Sequence, residues 1–130
     1  MLSLPPSVRL FVATQPVDGR KQADSLMALV RDVFKHDPLG GHLFVFFSKR
    51  LDRVRICYWD RTGYAMWTKR LERGRFRPAL ASDGTFGVTA LEAAELALII
   101  EGIDLAGAHR RPRWQPRPSP RRAEENRTPR

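Results

Sequence analysis

Residues 42–76 read HLFVFFSKRLDRVRICYWDRTGYAMWTKRLERGRF, three short apolar runs separated by turns and studded with Arg, Lys and Trp. Runs of this length, rich in β-branched and aromatic residues and bounded by turn formers, predict strands at about 42–47, 53–59 and 64–71. In the second run Val54, Ile56 and Tyr58 alternate with Arg53, Arg55, Cys57 and Trp59. Period-two alternation sends the two sets to opposite faces, so the apolar set is expected inward and the arginines outward. Asp60-Arg61-Thr62-Gly63 fits a hairpin turn in which Gly63 takes a positive φ, and Lys49-Arg50-Leu51-Asp52 makes the preceding turn. On the third strand Trp67 and Lys69 project to one side, and Met66, Thr68 and Arg70 to the other.

Upstream, residues 8–13 (VRLFVA) predict a first strand closed by Pro16, Asp18 and Gly19. From Asp24 onward, Leu26, Leu29, Val30, Val33 and Phe34 follow the spacing of a helix with one buried stripe. Asp24 or Ser25 is the expected cap, and Pro38 with Gly40-Gly41 prevents continuation. Downstream, residues 79–87 read as a loop. Thr89-Ala90-Leu91-Glu92 then matches a capping box ahead of a helix over 93–101 that Gly102 stops. Leu91, Leu98 and Ile99, broadened by Leu96 and Ile100, form its apolar surface. The expected fold is α+β: a small antiparallel β-meander with two packed helices on one of its faces.

Composition bounds the rest. A chain of 130 residues with 42% apolar content supports one core and leaves no room for a second domain. Its net charge of +9 attracts polyanions. No apolar run approaches the roughly 18 residues of a spanning helix, and the N-terminal segment does not read as a signal peptide. One cysteine, Cys57, excludes an internal disulfide and a multi-cysteine metal site. The cytoplasm is the expected compartment.

The charge is uneven. Residues 1–108 hold 15 basic and 12 acidic side chains, whereas residues 109–130 hold eight arginines, two glutamates and five of the ten prolines. Trp114 is the one large apolar side chain in that last segment, too little to offset the ordering of its backbone. The expected division is therefore one domain over 1–108 and a disordered Arg/Pro-rich tail over 109–130. The tail reads equally as a phosphate clamp or as a solubilising extension.

Within the domain, Lys49, Arg50, Arg53, Arg55, Lys69, Arg70, Arg73 and Arg75 are the candidate phosphate contacts, because Arg presents a fork of donors that matches phosphate oxygens. Five cations and one acid occupy residues 69–77, around Gly74. Trp67 is a candidate for stacking on unpaired bases, as is Trp59, although each equally suits a core. Catalytic chemistry is not visible. Asp52 and Asp60 sit at turns, Glu72 is hemmed by arginines, and Asp83 falls in a loop, so no converging carboxylates emerge to hold catalytic cations. His36, His42 and His109 show no zinc spacing, and no histidine is tied to Cys57. No cofactor is expected.

The ordered blocks DPLGGHLFVF at 37–46, RVRICYWD at 53–60 and WTKRLERGRF at 67–76, with EGID at 101–104, resemble the TnpB accessory protein (Orf2-like) of the sixty-sixth-numbered insertion-sequence family of bacteria. The resemblance covers about residues 8–105. It implies a protein encoded beside a transposase that assists DNA transposition, and it brings no established active site. The Arg/Pro-rich tail departs from the commonest pattern. The functional expectation is a non-catalytic accessory protein that binds transposon DNA, the transposase of the same element, or both. The alternative is an adaptor that docks on the transposase without touching DNA, its cations serving solubility alone.

Overall fold

The computed structural model describes residues 7–101, 103–104 and 109–110. In chain order the elements are β1 (Leu10–Ala13), α1 (Ala23–Asp32), β2 (Leu43–Phe47), β3 (Arg53–Trp59), β4 (Tyr64–Arg70), β5 (Val88–Leu91), α2 (Ala93–Glu101), β6 (Ile103–Asp104) and β7 (His109–Arg110). The main sheet has the order β4-β3-β2-β1-β5. β2, β3 and β4 form the expected antiparallel meander; β1 joins β2 in parallel and β5 joins β1 antiparallel. The segment read as a tail lies outside the described residues except for His109 and Arg110, which pair with Asp104 and Ile103.

The organising element is β2, whose LFVFF is buried at every position. A strand with no polar alternation must be covered on both faces. Leu43, Val45 and Phe47 join Leu10, Val12, Val54, Ile56 and Phe76 beneath Leu96, Ile99 and Ile100 of α2. Phe44 and Phe46 join Ala13, Val17 and Cys57 beneath Leu26, Met27 and Val30 of α1 and Phe34 just past its end. The helices therefore cover opposite faces of the sheet, and the expectation that both pack on one face is corrected. A one-sided sheet would leave two phenylalanines of β2 in water.

The helix ends also differ in detail from expectation. Gln22, in extended conformation, occupies the N-cap of α1 without a side-chain cap, and Asp24 sits in the first turn, where its charge favours the helix dipole. At the other end His36 N–H donates to the Val30 carbonyl, with Lys35 at a φ of 58°, so α1 closes before Pro38 is reached. Val33 falls outside the buried stripe at 47% exposure. The capping box of α2 is displaced by three residues: Thr89 lies in β5, and Glu92 N–H donates to the Glu95 carboxylate at 3.1 Å. Gly63 does not carry the positive φ of the β3–β4 hairpin; Arg61 does, at 59°.

Phe46 is fully buried in the layer between the sheet and α1. Truncation there removes a ring that neighbouring backbone cannot replace, so Phe46→Ala is expected to cost about 3–5 kcal/mol in chemical denaturation. A loss below about 1 kcal/mol would show that the α1 layer is not part of the cooperative core.

Candidate nucleic-acid interface

Two-sided burial decides where cations reach solvent. Register places Arg53 opposite Arg70 and Arg55 opposite Thr68, all on the face that α1 covers. In mid-strand, beneath the chain leading into α1, Arg55 is only 3% exposed. Its guanidinium donates to the Asp18 carbonyl at 3.0 Å and to the Lys21 carbonyl, while its Nε has no partner among the described residues. Burial lowers its pKa, a shift that proximity to Cys57 and Asp18 partly offsets. The outward placement expected of Arg55 is thus corrected: it pins residues 18–21 to the sheet and is closed to a phosphate.

Arg53 and Arg70 sit at the sheet end, beyond that cover. With Arg20 from the pinned turn and Lys49 and Arg50 from the β2–β3 turn, they line a groove of about 470 Å³ that also includes Gly19, Ser48, Asp18 and Asp52. Both acids are engaged. Arg20 holds Asp18 through two guanidinium bonds of 3.2 and 3.0 Å and a backbone N–H bond of 2.9 Å. These bonds keep the Asp18 carboxyl well below the usual range. Asp52 accepts a 3.1 Å bond from the Ser48 hydroxyl, which in turn accepts from Arg53 N–H. Among the described residues, the side chains of Lys49, Arg50, Arg53 and Arg70 have no acidic partner.

The turn carrying Lys49 and Arg50 is held from behind. Leu51 has a φ of 60°, uncommon for a branched side chain, and packs against the α2-side core. Its carbonyl accepts from Phe76 N–H, and the Asp52 carbonyl accepts from Leu71 N–H. These bonds bring the loop bearing Arg73 and Arg75, both exposed, to the same end of the sheet. Gly74 takes a φ of 78° within that loop. Arg20 was legible only as part of a turn, because nothing local signals that residues 18–21 fold over β3.

Lys69 and Trp67 lie elsewhere. Both belong to the opposite face, where Lys69 Nζ donates to the Ile100 carbonyl at 3.1 Å and Trp67 packs against the α2-side core. A cation on the last carbonyls of α2 suits the helix dipole. Trp59 stands against Tyr64 at 5.3 Å, six residues along β3 from Arg53 and so roughly 20 Å from the groove. The acids do not converge either: Asp60 and Asp52 flank opposite ends of β3, and Asp83 bonds Thr85 N–H. No group of His, Cys, Asp or Glu among the described residues could hold a metal ion. Burial pushes the Cys57 thiol up to about 12, which makes it a packing group. No helix among the described residues is long and apolar enough to cross a membrane.

The described residues thus form a three-layer α+β domain with a cationic groove at one sheet end. The chain belongs to the IS66 Orf2-like family, whose model matches residues 8–110. Membership carries an accessory role in the transposition of such elements and association with their machinery; the family is not known as a catalytic one. Two proteins of Sinorhizobium fredii (strain NBRC 101917 / NGR234), both called uncharacterized, are similar. Protein y4jC is 39% identical over 84% of this chain and 91% of its own length, and y4hO is 35% identical over 89% and 96%. No solved structure matches.

Removing the Arg55 guanidinium takes the donor from the Lys21 carbonyl, leaves the Asp18 carbonyl with the 3.2 Å bond from Lys21 N–H alone, and frees the groove wall. Arg55→Met is expected to cost about 2–4 kcal/mol, and Arg55→Lys to recover only part, since an ammonium does not span both carbonyls with the same fork. Denaturant titration reads both; a neutral Arg55→Met would remove the pin from the account. Asp18 supplies a pH test. Its folded pKa is depressed below the ordinary 3.8, so its contribution is present above that value and lost as pH falls below it. Asp18→Asn should flatten that acid-side loss, and an unchanged acid limb would contradict the pairing.

Proposed function

We propose that the protein assists transposition by binding the phosphate backbone of transposon DNA in the groove between residues 18–20 and the β2–β3 turn. The observation that carries this reading is the lining of Lys49, Arg50, Arg53 and Arg70, which have no acidic partner among the described residues, beside an Asp18 already held by Arg20 and an Asp52 bonded by Ser48. Unpaired guanidinium and ammonium groups in a concave site attract phosphate oxygens and concentrate the field there. Arg73 and Arg75, on the loop tied to Leu51 and Asp52, extend the cationic surface along the same end. The groove lining contains no aromatic side chain, so the contact would position the protein on DNA without reading bases.

The transposase of the same element is the proposed protein partner, met while both are near DNA in the cytoplasm. A separate surface is available for it. Val33 and Phe86, 47% and 40% exposed, lie at the far end of α1 from the groove, where Phe86 stands against Phe34 at 4.9 Å. This surface also supports the adaptor reading, in which the transposase is held there and DNA is not touched.

Salt titration of binding to a short duplex separates the readings. Binding through the groove predicts log K falling with log salt at about −0.9 per phosphate neutralised, and each of Lys49→Ala, Arg50→Ala, Arg53→Ala and Arg70→Ala making that slope shallower by a similar step. Lys69→Ala should leave the slope unchanged. If the four groove variants bind as the parent does while deletion of residues 111–130 abolishes binding, the groove is not the DNA contact. If no binding occurs at low salt, the adaptor reading stands instead.

A further inference from the structure

β4 is an edge strand of the main sheet, seven residues long and free of proline. Its pairing with β3 fixes which backbone groups face outward. Leu71 N–H donates to the Asp52 carbonyl and Asp60 N–H to the Gly63 carbonyl, so the pairs 71/52 and 63/60 are hydrogen-bonded pairs of the ladder. In an antiparallel ladder such pairs alternate with non-bonded ones. Ala65, Trp67 and Lys69 therefore turn their N–H and C=O toward β3, while those of Tyr64, Met66, Thr68 and Arg70 point away from the sheet. Among the described residues nothing accepts from or donates to these outward groups. An edge of this length and regularity is a template for another strand unless it is blunted.

We propose that β4 pairs with β4 of a second copy of this chain, antiparallel and centred on Trp67, joining two sheets into one. Only a two-fold at Trp67 uses every outward residue of the strand. It sets Tyr64 opposite the partner's Arg70 and Met66 opposite the partner's Thr68 as bonded pairs, with Trp67 opposite itself.

The same register resolves the charge problem. β4 carries its cations, Lys69 and Arg70, at one end only. Pairing in parallel would stack them cation on cation, whereas the antiparallel register sets Arg70 against an aromatic ring and Lys69 against Ala65. Cation and aromatic pairs across strands are favourable, and like charges directly opposite are not. A centre at Lys69 would set that cation against its own copy, and a centre at Thr68 would leave Tyr64 and Ala65 unpaired. A two-fold perpendicular to the sheet keeps the α1 faces on one side. The two grooves then open on the same side, their Arg70 backbones roughly 20 Å apart along the strands.

Sedimentation equilibrium across a concentration series should give a dimer. Dimer affinity should rise with salt as the repulsion between two chains of net +9 is screened, the opposite of the trend predicted for DNA. Thr68→Pro removes an outward N–H and none that β3 uses, so it should give a monomer whose thermal melt is close to the parent's. Should that variant fail to fold, cross-linking still decides. Opposed residues of a bonded pair have Cα atoms about 5.5 Å apart, within disulfide reach, so a mixture of Met66→Cys and Thr68→Cys chains should oxidise to a covalent heterodimer. Cys57 is buried and should stay silent. A monomer at every concentration, a dimer that persists in folded Thr68→Pro, or no Met66→Cys to Thr68→Cys cross-link would each overturn the proposal. Loss of DNA binding in Lys49→Ala, Arg50→Ala and Arg53→Ala, none of which lies on β4, with the dimer retained would leave it standing.

Discussion

The constraint from which the structure follows is burial of β2 on both faces. Five consecutive apolar residues cannot alternate between core and water, so the strand must lie mid-sheet with a layer above and a layer below. α1 and α2 supply those layers, one from each side of the meander in sequence. Over β2 and the middle of β3 no sheet face then remains on which a row of arginines can meet solvent. Cations are left the ends of the strands and the turns that join them.

This displacement from face to end accounts for the divergent fates of Arg53 and Arg55. The two residues stand two apart on one strand and point the same way. One lies beyond the cover and lines the groove; the other is caught beneath the chain entering α1 and becomes a structural pin. The pin serves the groove in turn, because the carbonyls it holds belong to the turn that carries Asp18 and Arg20. Charge and packing are thus coupled through a single side chain whose polar end is spent on backbone.

Much of this was legible in the sequence. The meander and its strand limits follow from alternation and turn chemistry within a residue or so, and the family blocks fall across the same segments. What was not legible depended on contacts between distant segments. VRICYW reads as a half-exposed strand in isolation, and only the arrival of residues 18–21 and α1 makes Arg55 and Cys57 interior. Trp67 and Lys69 could be assigned to one side of β4, but not to the side that α2 covers. Gly63 looked like the natural holder of a positive φ, yet Arg61 holds it. The Thr89 pattern did not mark the helix start, since β5 uses Thr89 to pair with Val12 and the carboxylate that returns to the first turn is that of Glu95.

The central claim is that cations scattered along the chain are gathered at one end of the sheet to meet phosphate. Arginine side-chain NMR during titration with a short DNA duplex tests it directly, because each guanidinium reports its own environment. The account predicts shifts at the Nε–H of Arg20, Arg50, Arg53 and Arg70, with Arg55 unmoved beneath its carbonyls. Shifts confined to Arg9, Arg31 and Arg61, or to arginines beyond residue 110, would contradict it.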